Sequence, residues 1–167
     1  EQDDQTRGFA KDKFNLKVRD TFEFYNLSPE KFNAITMWHV LEHVHDLNGY
    51  LKKIHSILKS NGIFVVAVPN HKSFDQEYYK EYWAAWDIPI HLWHFNPSTI
   101  KKLMDCHGFR VQKTISMPLD AVYVSMLSEQ YKTGKKLLGL YKGIIFALKG
   151  KIHPEKCSSV IYIIKKK

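Results

Sequence analysis

The seven residues "IFVVAVP", Ile63 to Pro69, constrain the fold more than any other stretch of the chain. An unbroken apolar run of strand length suits a strand covered on both faces, as in a parallel sheet. Upstream, "FNAITMWHV" is rich in β-branched and aromatic residues and reads as another strand. Between them, "DLNGYLKKIHSILKS" sets Leu47, Leu51, Ile54 and Leu58 at helical spacing. Asn61-Gly62 reads as the stop of that helix, because both residues accept a left-handed backbone. Strand, helix, strand in this order implies a right-handed crossover.

The rest of the chain continues the alternation. "DDQTRGFAKDKF" reads as a helix in which Phe9 meets Lys13 and Phe14 on adjoining turns. "NLKV" is a short strand candidate and "YNLSPEK" a loop. "NPSTIKKLMDCHG" is a helix capped by Asn96, opened by Pro97 and closed by Gly108. "FRVQKTISM" and "SSVIYIIKKK" are strands, and the stretch from Leu119 to Gly150 is partly helical. The pattern is an α/β sandwich.

With 167 residues, 44% hydrophobic and 25% charged, the chain has the make-up of one soluble domain. No apolar run is long enough for a spanning helix. The opening "EQDDQTRG" is unlike a secretory signal, so a cytoplasmic location is expected. Cys106 and Cys157 have no C-x-x-C partner and read as two buried free thiols. The net charge of +8 is concentrated late in the chain. Lys132 to Lys151 holds six lysines and no acid, interleaved with "LLGLY" and "IIFAL". A basic amphipathic helix of this kind can lie on an anionic membrane surface; a lid packed on the sheet is the other reading. Nucleic acid is not expected, because no recognisable module interleaves stacking aromatics with the lysines.

"WHVLEHVHD", Trp38 to Asp46, contains H-x-x-E-H, which on a helix can bind zinc in a peptidase. His39, however, directly follows the strand run "AITMW", so helical spacing does not hold across the motif. No third ligand stands at a recognisable spacing, and no metal ligand is assigned. Capping and packing is one alternative. Position supplies another: ligands of open α/β sheets bind outside the carboxyl ends of the strands. "WHVLEHV" sits at one such end and "PN" after "IFVVAV" at the next, so polar groups from both would share a crevice.

The stretch from Phe32 to Asn70 resembles the central half of class I S-adenosylmethionine-dependent methyltransferases, closest to the branch that includes the ubiquinone-biosynthesis O-methyltransferases. In that family a fourth strand runs into an H-x-L-E-H-like segment, followed by a helix, a turn (here "KSNG") and a fifth strand ending in "PN". "HLWHFNPSTIKKLMDCHGF" is similar to a later family segment, and the likeness covers about residues 1–115. It implies a partial Rossmann-like fold: a mostly parallel sheet with an antiparallel last strand and helices on both faces. It implies an insertion at about 119–156 between the sixth and seventh strands. None of the eight glycines forms the family's G-x-G-x-G loop. The expectation is therefore a chain that starts at the end of the second strand, lacks the first, and forms the carboxyl-terminal portion of one domain.

What the resemblance implies for chemistry is methyl transfer from S-adenosylmethionine to a small-molecule or lipid-like acceptor, with O-methylation as the reaction. Glu1 matches the acid that meets the ribose, and Asp20 the acid near the adenine. Trp38 and His39 line the cofactor pocket. His91 and His94 are the candidate bases, or else structural histidines. The aromatic run from Phe74 to Phe95 covers an acceptor pocket or buries an aromatic stripe. By itself this chain is expected to bind the cofactor weakly and to be inactive. A non-catalytic, partner-binding module is the alternative, and an exposed strand edge would favour a homo-oligomer.

Overall fold

Caps and apolar runs divide the chain into alternating helices and strands. The computed structural model describes residues 1 and 3–167. In order, these are α1 (Asp4–Phe14), α2 (Thr21–Tyr25), β1 (Phe32–Trp38), α3 (Leu47–Ile57), β2 (Leu58–Pro69), α4 (Phe74–Tyr79), α5 (Pro97–Cys106), β3 (Phe109–Ser116), α6 (Pro118–Thr133), α7 (Lys136–Ile152) and β4 (Ser159–Lys166). Short 3-10 turns lie at Leu41–His43, Lys80–Tyr82, Ala84–Trp86 and Pro154–Lys156.

The sheet order is β1-β2-β4-β3. β1 and β2 are parallel, and β4 runs antiparallel to both β2 and β3. β2 is paired on both edges, and from Phe64 to Pro69 its side chains are buried on both faces apart from half-buried Val65, which suits its uninterrupted apolar run. Phe64, Val66 and Val68 share one core with Leu51 and Ile54 of α3 and with Ile100 and Met104 of α5. Burying each such side chain stabilises by about 1.5–3 kcal/mol. α5 opens with Pro97 behind a capping box of Asn96 and Thr99, and Gly108 beyond it has φ +76°. The α/β class and the antiparallel last strand agree with the sequence reading, as does the meeting of Phe9, Lys13 and Phe14.

Several local expectations are corrected. "NLKV" forms no strand: residues 15–20 lie outside the sheet, and Leu16 and Val18 are exposed. A lone tetrapeptide becomes a strand only where a neighbour supplies its hydrogen bonds. Asp20 therefore caps α2 instead of ending a strand. Asn61-Gly62 does not stop α3, which ends at Ile57. The pair lies in β2, where the register slips between Phe32↔Leu58 and Ala34↔Ile63. Gly62 suits this position because a Cβ would fall 2.9 Å from the Lys59 carbonyl oxygen as well as 2.6 Å from the Leu58 side chain. Cys106 is exposed, and only Cys157 is buried.

The stretch read as partly helical is a hairpin of two full helices, α6 and α7, turned at Gly134 in the left-handed conformation. It packs on α4 and the turns that follow, so Tyr79, Trp83, Ala85 and Val124 make a second core with Phe146. Buried Asp75 ties this core to the sheet, accepting from the Trp83 indole and the Ser158 hydroxyl, each at 2.7 Å. Burial pushes the Asp75 carboxyl above the usual range. The aromatic run thus divides. Tyr79 and Trp83 fill the second core and Phe95 the first, while Ile88 and Ile90 stay exposed.

Candidate active site

Where β1 ends, the backbone turns sharply. His39 takes φ +51°, yet its N–H still extends the ladder to the Ala67 carbonyl at 3.0 Å. Histidine is among the side chains that tolerate this region best, and such positions cluster at functional sites. The turn Leu41–His43 then brings Glu42 back under His39, with Nδ1 and Oε1 3.2 Å apart. From the start of α6, Asp120 places Oδ2 3.8 Å from His39 Nε2, and it also accepts from the Ser159 hydroxyl. The hydrogen bond to Glu42 raises the His39 pKa, burial opposes it, and the Asp120 charge adds to the rise. Glu42 is 1% exposed. Among the described residues, His39 Nε2 and Glu42 Oε2 are buried without a hydrogen-bond partner. Bare polar atoms at a strand's carboxyl end fit a polar ligand placed there.

The end of β2 behaves differently. The Asn70 amide donates to the carbonyls of Glu155 and Cys157 at 2.9 and 3.0 Å, and its oxygen accepts from Lys72 N–H. "PN" is therefore a structural pin: its polar groups are spent on backbone, and they are not turned to a shared crevice.

The segment around "HLWHF" docks on the Glu42 turn. Leu92 and Trp93 donate to the Glu42 carbonyl at 2.9 and 3.2 Å, and the Trp93 indole donates to the Val44 carbonyl at 2.7 Å. His91 Nδ1 faces the Ala85 carbonyl at 2.9 Å, and His94 Nε2 faces that of Trp86 at 2.9 Å. A carbonyl oxygen only accepts, so in each ring the nitrogen facing the carbonyl is the donor. His94 also lines an open cleft of about 550 Å³ with Gln76, Lys80, Glu81, Trp86 and Ile88.

The remaining expected site residues form two pairs. Trp38 and His39 stand together at the end of β1, Trp38 half exposed. Glu1 and Asp20 line a separate pocket of about 230 Å³ with Phe24 and Tyr50, which stack at 4.3 Å. Asp20 accepts from Phe22 N–H and pairs with Arg7 at 3.3 Å. Sequence reasoning took Glu42 only as the acid of H-x-x-E-H or as a helix-start residue, and it missed Asp120. Glu42 carried a usable signal, its place three residues after His39. Asp120 carried none, since 81 residues separate it from His39.

A family model described as a methyltransferase domain matches residues 2–114. Among solved structures, a SAM dependent methyltransferase from Archaeoglobus fulgidus is similar at 18% identity and TM-score 0.59, over 100% of this chain and 74% of that one. A SAM-dependent methyltransferase from Thermotoga maritima is similar at 17% identity and TM-score 0.62, over 100% and 72%. The [4+2]-cyclase SpnF is also similar, at 12% identity and TM-score 0.52, over 83% and 51%. At such identities the likeness shows the fold, and the cyclase illustrates that this fold alone does not name a reaction. No curated protein matches the chain.

Proposed function

The chain belongs to the methyltransferase domain family, and on that premise we propose that it transfers a methyl group from S-adenosylmethionine to the hydroxyl of a small-molecule or lipid-like acceptor. The observation that carries the reading is the His39–Glu42–Asp120 group, with bare buried polar atoms at the carboxyl end of β1. When bound, the donor supplies a methyl group activated by a sulfonium. Trp38 offers ring surface to it and His39 Nε2 a hydrogen bond, with Glu42 fixing the imidazole. Glu1 and Asp20 are assigned to ribose and adenine on the family resemblance. His91 and His94 are the candidate bases, each keeping one ring nitrogen free to accept the acceptor's proton. O-methylation, and the ubiquinone-biosynthesis O-methyltransferase-like branch, rest on the "HVLEHV" and "HLWHFNPSTI" segments.

The test is transfer of tritium from labelled S-adenosylmethionine into a lipid and metabolite extract by the full-length gene product. His39→Ala is expected to raise the donor's KM about tenfold or more, the scale of a hydrogen bond to a charged group. An unchanged KM would remove His39 from the donor site. Donor binding with no labelled product from any extract would favour the non-catalytic module.

A specific observation supports a lipid-like acceptor. Leu137, Tyr141, Ile144, Leu148 and Ile152 form a stripe along α7, with Leu137 80% and Ile152 74% exposed. Lys135, Lys136, Lys149 and Lys151 lie around it, all exposed. Apolar side chains flanked by lysines fit an anionic lipid surface, each lysine adding about 1 kcal/mol. No helix among the described residues is long and apolar enough to cross a membrane, so contact would be peripheral. Co-sedimentation with phosphatidylserine vesicles at low salt is expected. Lys149→Ala with Lys151→Ala should weaken it more than tenfold; absence of any pelleting would end the membrane reading.

A further inference from the structure

The turn Leu41–His43 and the segment docked on it gather three ligand-type groups. One carboxylate oxygen of Glu42 and one ring nitrogen each of His43 and His91 lie within 4.8 Å of one another. Both imidazoles are held from behind. His43 Nδ1 faces the Ile90 carbonyl at 3.2 Å, and His91 Nδ1 faces that of Ala85 at 2.9 Å. This is the outer support that metal-binding histidines use, because it fixes the tautomer and leaves Nε2 as the ligand atom. The rings meet edge to face with centroids 4.7 Å apart.

Glu42 supplies an independent reason. Its carboxylate is buried, Oε1 is taken by His39, and Oε2 has no partner among the described residues. A buried carboxylate with one bare oxygen is costly unless a cation meets it. We infer that Glu42, His43 and His91 form a binding site for a divalent transition-metal ion. Two imidazoles and one carboxylate are a donor set that suits Zn²⁺ or Fe²⁺ and leaves coordination positions open. Bonds of about 2.0–2.2 Å require the ligand atoms to draw closer together, by rotation of the side chains about their anchored ends. Asp87 Oδ2, 3.9 Å from His91 Nε2, is the neighbouring carboxylate that either joins the ion or is displaced by it.

The site revises the H-x-x-E-H pattern. His39 is not among the ligands; His91, 48 residues beyond His43, takes the third place. Its use follows from its neighbours: beside His39, an open coordination position would hold an oxygen of the acceptor and orient it. That use rests on the methyl-transfer reading, whereas binding of the ion does not. With the ion bound, His91 serves as a ligand and His94 remains as the candidate base.

The experiment is calorimetric titration of metal-stripped protein with Zn²⁺, alongside the visible spectrum of the Co²⁺ form. One ion per chain is expected, with Kd of about 1 μM or below. His43→Ala and His91→Ala should each weaken binding at least tenfold and abolish the rise in Tm that Zn²⁺ gives the native protein. His45→Ala, changing an exposed histidine outside the cluster, should leave binding unchanged. Should His91→Ala unfold for want of its anchor, His91→Gln keeps a donor for the Ala85 carbonyl, and the Co²⁺ spectrum of the native chain reports imidazole ligation directly. Zn²⁺ binding that survives both His43→Ala and His91→Ala, or no stoichiometric binding, overturns the site. Binding without methyl transfer keeps the site and removes the proposed function. Transfer undiminished after chelation removes the role in holding the acceptor.

Discussion

Gly143→Val should lower the stability of the protein by about 3 kcal/mol and its Tm by roughly 6–12 °C. Gly139 and Gly143, one turn apart on α7, face α6 at very close range. A Cβ at Gly143 would fall 2.7 Å from Val122 Cα, and one at Gly139 would fall 2.5 Å from the Ser125 carbonyl oxygen. These neighbours are backbone, so they cannot rotate away; the helices must separate and open the core around Val124 and Phe146. Helix propensity alone predicts the opposite sign, since Ala exceeds Gly by about 1 kcal/mol in a helix. Gly143→Ala therefore decides between the two effects, and a loss is expected. Gly8, in α1 with nothing within 4 Å of its Cβ position, is the control. Gly8→Ala should stabilise by up to about 1 kcal/mol. Thermal melts of the three variants read the result, and a Gly143→Val protein as stable as the native one would show that the hairpin is not packed this way.

Lys142→Met should cost about 3–5 kcal/mol near neutral pH, because it leaves a buried carboxylate without its cation. Glu129 is fully buried. Lys142 donates to its Oε2 at 2.9 Å and Thr133 to its Oε1 at 2.9 Å. Burial pushes the Glu129 carboxyl up, but these hydrogen bonds outweigh it and hold the carboxyl below its ordinary value of 4.5. A carboxyl lowered on folding stabilises the native state fully above that value. The contribution fades as pH falls through the lower, folded-state value. The gap between native protein and Lys142→Met should thus be widest near pH ~7 and shrink as pH falls below 4.5 and Glu129 takes up a proton. Urea unfolding at neutral pH and at a series of acidic pH values measures this. A gap independent of pH would assign the loss to the other contacts of the lysine, whose Nζ lies 4.6 Å from the centre of the Tyr78 ring.

Much of the sheet was legible because its signals are local. β2 is apolar on both faces, α3 repeats its leucines at helical spacing, and Asn96-Pro97 with Gly108 frames α5 within a dozen residues. "NLKV" failed because strand formation is a property of a pair, and one segment does not reveal whether a neighbour exists. "NG" failed for a related reason: the same dipeptide that stops a helix also serves a strand where the register slips. The hairpin was ambiguous because the stripe that α7 buries most deeply is glycine, which hydropathy does not register, while most of its large apolar residues other than Phe146 are exposed.

The site divides in the same way. Sequence alone determined that a strand end carries His39 and that "HLWHF" brings further histidines, because those residues sit beside recognisable elements. Only the tertiary structure decided which polar atoms meet. It spent Asn70 on backbone carbonyls, set Asp120 against His39 from 81 residues away, and brought His91 to Glu42 and His43 from a distant segment. Burial and hydrogen-bond satisfaction depend on everything packed around an atom, so a local pattern such as H-x-x-E-H names the ligand-type residues without choosing among them.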